Sequence, residues 1–218
     1  MTRSFRKLSL LVLFFIINTI FSGKQFQPYG VQCVQNGIEA IKNAYSADEA
    51  HAAFLLIIEG IDFGASPDFV VGDIEGNTLL LFLIKEAGKR FKESRPPYTT
   101  LENDYADYNA TNHNMREAGL FFSAIARELV AEGHSNVNIP NKEIKGPLVA
   151  CLELYFDIAH LPLEIRNPLI TGGIHPLVQA IVNAGADTTT PGFNGKTPCQ
   201  LMQDAYIDDP VVEALICP

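Results

Sequence analysis

The side chains that could do chemistry are few and scattered. Histidine occurs at His51, His113, His134, His160 and His175. No two stand at i, i+4 and no H-E-x-x-H is present, so no helix offers the paired imidazoles of a zinc hydrolase. Cysteine occurs at Cys33, Cys151, Cys199 and Cys217, without a C-x-x-C pair. Cys151 sits in an apolar run and reads as a small core residue. A G-x-S-x-G elbow, a phosphate-binding loop and a dinucleotide fingerprint are all missing. These patterns supply no catalytic residue, no metal-ligand set and no cofactor site. One segment does gather polar groups: Tyr98, Glu102, Asp104, Tyr105, Asp107 and Tyr108. Its tyrosines offer aromatic anchors with a polar tip to a protein partner. Its carboxylates offer a loose cation site, though the D-x-D-x-D-G order of a calcium loop is absent. The same composition also describes a solvated loop. Asn109-Ala110-Thr111 is a glycosylation sequon, which has meaning only in a eukaryotic secretory pathway.

The chain that must position these groups has 218 residues, 47% hydrophobic and 19% charged, with a formal charge of −9. Residues 1–22 hold three basic residues and no acidic ones. Without them the balance is 13 basic against 25 acidic, a net of −12. An acidic body lacks the basic footprint that nucleic acid requires, and an anionic membrane surface would repel it. A protein partner remains compatible with this charge. Arg3, Arg6 and Lys7 precede an apolar run from Leu8 through Phe21, and small residues follow at Ser22 and Gly23. That is the layout of a secretory signal peptide cleaved near residue 22, which predicts an exported protein. The alternative is a retained anchor over residues 8–21, which would bring the chain to a membrane.

The body repeats itself. Glycine-ended helix closures are predicted at Gly64-Ala65-Ser66, Gly133-His134-Ser135-Asn136 and Gly185-Ala186-Asp187. Helix starts follow at Thr78, Gly146-Pro147 and Thr197-Pro198. The closures are 69 and 52 residues apart and the starts 68 and 51 apart, so two independent markers move together. Asn183 to Met202 (NAGADTTTPGFNGKTPCQLM) carries the fullest version. Gly185 can close a helix in the left-handed conformation, Asn194-Gly195 is a turn signal, and Thr197-Pro198 caps and starts the next helix. These residues resemble the ankyrin-repeat pattern, in which a G-A-D helix end leads through D-x-x-G-x-T-P-L-H into the next repeat. Asp73-Ile74-Glu75-Gly76-Asn77-Thr78 keeps the aspartate, glycine and threonine of that connection, and Asn136-Val137-Asn138 is similar to the family's D-V-N.

The resemblance covers about residues 31–217. It implies an all-α, ankyrin-type helical repeat solenoid of about four repeats that binds proteins without catalysis. Contacts would come from the turned connections and the inner helix face. The family's T-P-L-H reads TLLL at Thr78–Leu81, GPLV at Gly146–Val149 and TPCQ at Thr197–Gln200. The missing histidine implies a stack held more by apolar packing. Spacings of 68 and 51 exceed the repeat of about 33 residues. The excess is expected as two insertions between first and second helices, at about 90–115 and 159–173. Helices are predicted over Asn77–Lys89, Met115–Glu132, Pro147–Ile158 and Ile174–Ala184, with outer pairs at Val31–Ala44 with Ser46–Glu59 and at Thr197–Tyr206 with Pro210–Ile216. In a stack the insertions share one edge, with Tyr98, Tyr105, Tyr108, Asp104 and Asp107 as its partner contacts. In an oxidising compartment Cys199 and Cys217 can pair, because the two helices of one repeat are adjacent. An envelope-tethered structural protein is the alternative. A hydrolase or transferase is a third, with a site built by His113, Asp104 and His160 on the insertion edge.

Overall fold

The computed structural model describes residues 28–94, 105–132, 135–159 and 161–217, and the described residues are mostly helical. The first pair is α1 (28–42) and α2 (Ala47–Asp62). Ser46 caps α2 by accepting the Glu49 N–H at 3.3 Å, and the Glu49 carboxylate accepts the Tyr45 N–H at 2.7 Å. Two otherwise unpaired donors are thereby satisfied. Ala50, Ala53, Ile57 and Gly60 form the buried stripe of α2. A methyl group at Gly60 would lie 2.6 Å from the Gly30 carbonyl oxygen, so the two helices touch backbone to backbone.

The centre is α3 (Leu79–Glu93), α4 (Tyr105–Ala131) and α5 (Pro147–Ile158). Leu79 to Ile84 are six consecutive buried residues, as are Pro147 to Leu152. A helix apolar on all sides belongs inside, with neighbours around its whole circumference. Each fully buried leucine among them contributes about 1.5–3 kcal/mol relative to exposure. Then come α6 (Leu163–Leu169), a π-helical turn (Ile170–Ile174) and α7 (His175–Asn183), followed by α8 (Pro198–Asp204) and α9 (Pro210–Ile216). Contacts run α3 to α5 to α8 in one row and α2 to α4 to α7 to α9 in the other, with α3 against α4 and α8 against α9 between rows. The result is two layers of helices around one apolar core.

Two expectations about the insertions need correction. The second helix after α3 begins at Tyr105, ten residues before the expected Met115. Its first turns have no apolar stripe, and they ride on a helix already nucleated by the packing of Ala118, Phe122, Ile125 and Leu129. Ala159–Gly173 is likewise not a loop. From Leu163 to Asn183 the chain is helical throughout, with Pro168 inside α6 and Gly172-Gly173 inside the π turn.

Arg90 is a third departure. The first insertion is expected to begin at about this residue, yet Arg90 lies in the last turn of α3 and is fully buried. Its Nε donates to the Ala44 carbonyl at 2.8 Å and its Nη2 to the Lys42 carbonyl at 2.9 Å. Nη1 meets Glu93 at 3.0 Å, and the guanidinium lies 4.8 Å from the Tyr45 ring centroid. Three carbonyls at the end of α1, those of Ile41, Lys42 and Ala44, and the Glu93 carboxylate accept from the guanidinium, which makes the burial tolerable.

Candidate functional site

The three connections between helix pairs are the same object built three times. Gly76 N donates to Asp73 O, Ile144 N to Asn141 O and Gly195 N to Gly192 O. The residue closing each turn is left-handed: Gly76 at φ 69°, Ile144 at 63° and Gly195 at 68°. Spacings between these residues are 68 and 51, the spacings of the helix starts. Two residues on, Thr78, Gly146 and Thr197 take nearly the same extended N-cap conformation. Helix closure upstream is shared as well. Ala65 N reaches Gly60 O at 3.0 Å and Ala186 N reaches Ile181 O at 3.1 Å, with Gly64 and Gly185 left-handed.

Side chains lock the first two turns and tie neighbouring connections together. Asp73 accepts from Asn77 N at 2.9 Å and from Asn77 Nδ2 at 2.6 Å. Burial pushes its carboxyl up, but these bonds, Gly76 N–H and Lys85 outweigh burial and hold it below the ordinary range. Asn141 occupies the matching place, accepting from Glu143 N at 3.0 Å and Lys145 N at 3.1 Å, and its amide donates to Asn77 Oδ1 at 3.1 Å. Lys142 N donates to Glu75 O at 2.9 Å. On the other side, Asn138 Nδ2 donates to Gly185 O at 3.0 Å and its Oδ1 accepts from Asp187 N at 2.9 Å. Asp187 in turn accepts from Thr189 N and Thr190 N, and the Thr190 side chain together with these amides holds its carboxyl well below the usual value. Lys145 sits 4.5 Å from the Phe193 ring and 2.8 Å from Glu153. The row is therefore one preorganised surface, and its tips are apolar: Ile74 is 94% exposed, Ile144 62% and Val70 54%. Exposed aliphatic groups thus stand on a hydrogen-bonded polar frame.

The sequence-predicted contacts fall elsewhere. Tyr98 and Asp104 lie outside the described residues. Tyr105, Asp107 and Tyr108 lie in the first turns of α4, where the backbone alone is described. His113 is exposed on α4, while His160, like Asp104, lies outside the described residues. Cys199 and Cys217 are joined by a disulfide, Cα to Cα 5.1 Å, across α8 and α9. Burial pushes the Cys151 thiol up, which removes it as a nucleophile. Residues 1–27, with the predicted signal or anchor, lie outside the described residues, among which no helix is long and apolar enough to cross a membrane. No group of side chains suited to a metal occurs among the described residues. The chain matches no known protein family, no curated protein and no solved structure.

One constellation was missed by sequence reasoning. Asp209, just before α9, accepts from Tyr155 Oη at 2.8 Å and meets His175 Nε2 at 2.7 Å, both at Oδ2. Its Oδ1 caps α9 by accepting from Val211 N and Val212 N. Burial raises the Asp209 carboxyl, and the bonds from His175, Tyr155 and Val212 overcome burial and bring it below its ordinary value. Tyr155 shifts upward, because burial and the bond to Asp209 keep the phenol protonated. The three residues come from α5, α7 and the α8–α9 connection, and only the tertiary fold brings them together.

Proposed function

We propose that this chain is an exported ankyrin-type repeat module of about four repeats that binds a protein partner without catalysis. The observation that carries the reading is the threefold turn at Asp73–Gly76, Asn141–Ile144 and Gly192–Gly195, repeated at spacings of 68 and 51 with the first two hydrogen-bonded side by side. A stack of repeats presents such connections as a continuous surface. The Cys199–Cys217 disulfide supports an oxidising destination. Tyr98, Asp104, Tyr105, Asp107 and Tyr108 remain proposed partner contacts.

Ile144 supplies the test. It is a β-branched residue in the left-handed region, where the two sister turns use glycine. Such a residue costs about 1–2 kcal/mol that glycine does not. Strain of this kind persists where the side chain is used. Ile144→Gly is expected to stabilise the chain by about 1 kcal/mol after the flexibility of glycine is counted. The same change, together with Ile74→Ser, is expected to weaken retention of the partner. Urea unfolding gives the first quantity. Site-specific photocrosslinking at position 74 gives the second, with an exposed helical position such as Leu55 as reference. Equal crosslinking at both positions would reject the connection row as the contact surface.

A further inference from the structure

Tyr206 is 93% exposed on a left-handed backbone, φ 53°. It closes α8 as Gly64 closes α2 and Gly185 closes α7. Tyr206 N donates to Gln203 O and Ile207 N to Met202 O, which repeats the pair of bonds made at the two glycines. An aromatic side chain thus occupies a slot that glycine fills elsewhere in the chain, at a conformational cost. Beside the ring lies a cavity of about 600 Å³ between α5, α6 with the π turn, and the α8–α9 connection. It opens where α5 and α8 end, away from the connections that precede those helices.

The lining is specific. Phe156, 54% exposed, shares the rim with Tyr206. The Tyr155–Asp209–His175 cluster and Arg166 line it further in. The guanidinium of Arg166, partly buried, reaches the Ala159 carbonyl at 3.3 Å, and among the described residues no carboxylate pairs with it. Asp209 is already used: one oxygen holds Tyr155 and His175, the other caps α9. In an acidic chain, a guanidinium left without a counter-ion in a cavity is a seat for an anion. Asp208, exposed at the same opening, disfavours a polyanion. Nε2 of His175 is held by Asp209, and its other ring nitrogen, Nδ1, makes no hydrogen bond to the described residues.

We propose that this cavity binds a small aromatic monocarboxylate. Its carboxylate would pair with Arg166, its ring would stack on Tyr206 and Phe156, and a ring hydroxyl would hydrogen-bond to His175. The volume lies within the range of roughly 300–1,000 Å³ typical of small-molecule sites. The strained Tyr206 backbone is then the cost of holding an aromatic platform over the opening.

The test uses the full chain with its disulfide formed. Titration calorimetry with 4-hydroxyphenylacetate is expected to show saturable binding, with the neutral 4-hydroxyphenylacetamide at least about tenfold weaker, which corresponds to about 1.4 kcal/mol. Arg166→Gln should remove the difference between the two probes. Tyr206→Gly should lower affinity at least about tenfold while raising Tm by about 2 °C. Equal binding of acid and amide would overturn the proposal. So would no heat at millimolar probe, or a Tyr206→Gly variant with unchanged affinity or a lower Tm.

Discussion

The helices α1 to α4 and the helices α8 and α9 meet the same requirement, holding one helix pair against the next, by different chemistry. In the first region apolar contact dominates. Ten of the fifteen residues of α3 are buried, and α4 packs along it. In the second, α8 and α9 have seven residues each. Only Pro198 and Met202, and Val212 and Ile216, are buried in them. Helices of that length are not stable alone and bury too little to hold themselves in place. Polar and covalent links take over. Thr197 and Gln200 close a capping box on α8, Asp209 caps α9, and the disulfide joins the pair. A cavity opens at this lightly packed end, where a chain held by links leaves space that close packing would fill.

The sharpest way to break this contrast is at Arg90, the polar group on which the apolar region depends. Removing its side chain strands the carbonyls of Ala44 and Lys42 and leaves Glu93 unpaired. It also leaves Glu86, whose carboxyl burial already raises and whose Oε2 has no hydrogen bond. Arg90→Met keeps most of the volume and loses every donor. It should cost about 3–5 kcal/mol in urea unfolding, the range for breaking a buried charge network. A loss below about 1 kcal/mol would mean that water replaces the guanidinium and that packing alone holds α1 to α3.

The disulfide comes next. Its cysteines are 18 residues apart. Closing a loop of that size is worth about 3 kcal/mol in the chain-entropy account. Cys199→Ser with Cys217→Ser should therefore destabilise by about that much. The loss should be local: amide exchange rises in α8 and α9, while α3 and α4 keep their protection. Exchange that rises equally in all four helices would show that the two regions unfold as one unit, and the contrast would be one of composition only.

The sequence allows the connections to be read because their residue types are dictated by local backbone. Gly64, Gly76, Gly185 and Gly195 sit at positive φ, and Thr78 and Thr197 sit at N-caps. Local signals mislead where a neighbour decides the outcome. Pro168 and Gly172-Gly173 read as a break, yet the helix runs on through a π turn packed beside α4. Tyr105 to Asn114 read as loop, yet they extend a helix nucleated further on. Arg90 reads as surface from its charge, and only the end of α1 accounts for its burial. Tyr155, His175 and Asp209 carry no joint signal at all, being 54 and 34 residues from one another through Asp209. Ile144 and Tyr206 are legible only by comparison with sister positions, once the register is known.

The smallest effect expected is at Asp209, and its pH dependence separates a polar link from a packing one. Asp209→Asn keeps an oxygen to cap α9 but loses the charged acceptor shared by Tyr155 and His175. At neutral pH this should cost about 1–2 kcal/mol, the value of a hydrogen bond to a charged group. The Asp209 carboxyl is lowered in the folded chain relative to its unfolded value. A lowered carboxyl contributes stability above the unfolded pKa of about 3.9 and loses it as pH falls through the folded value. The wild-type chain should therefore exceed the variant at pH 7, and the difference should shrink below about pH 4. Unfolding free energies measured for both chains between pH 2 and 7 give the answer. A difference that stays constant across that range would assign Asp209 a packing role and would place the α8–α9 region closer in kind to α1–α4.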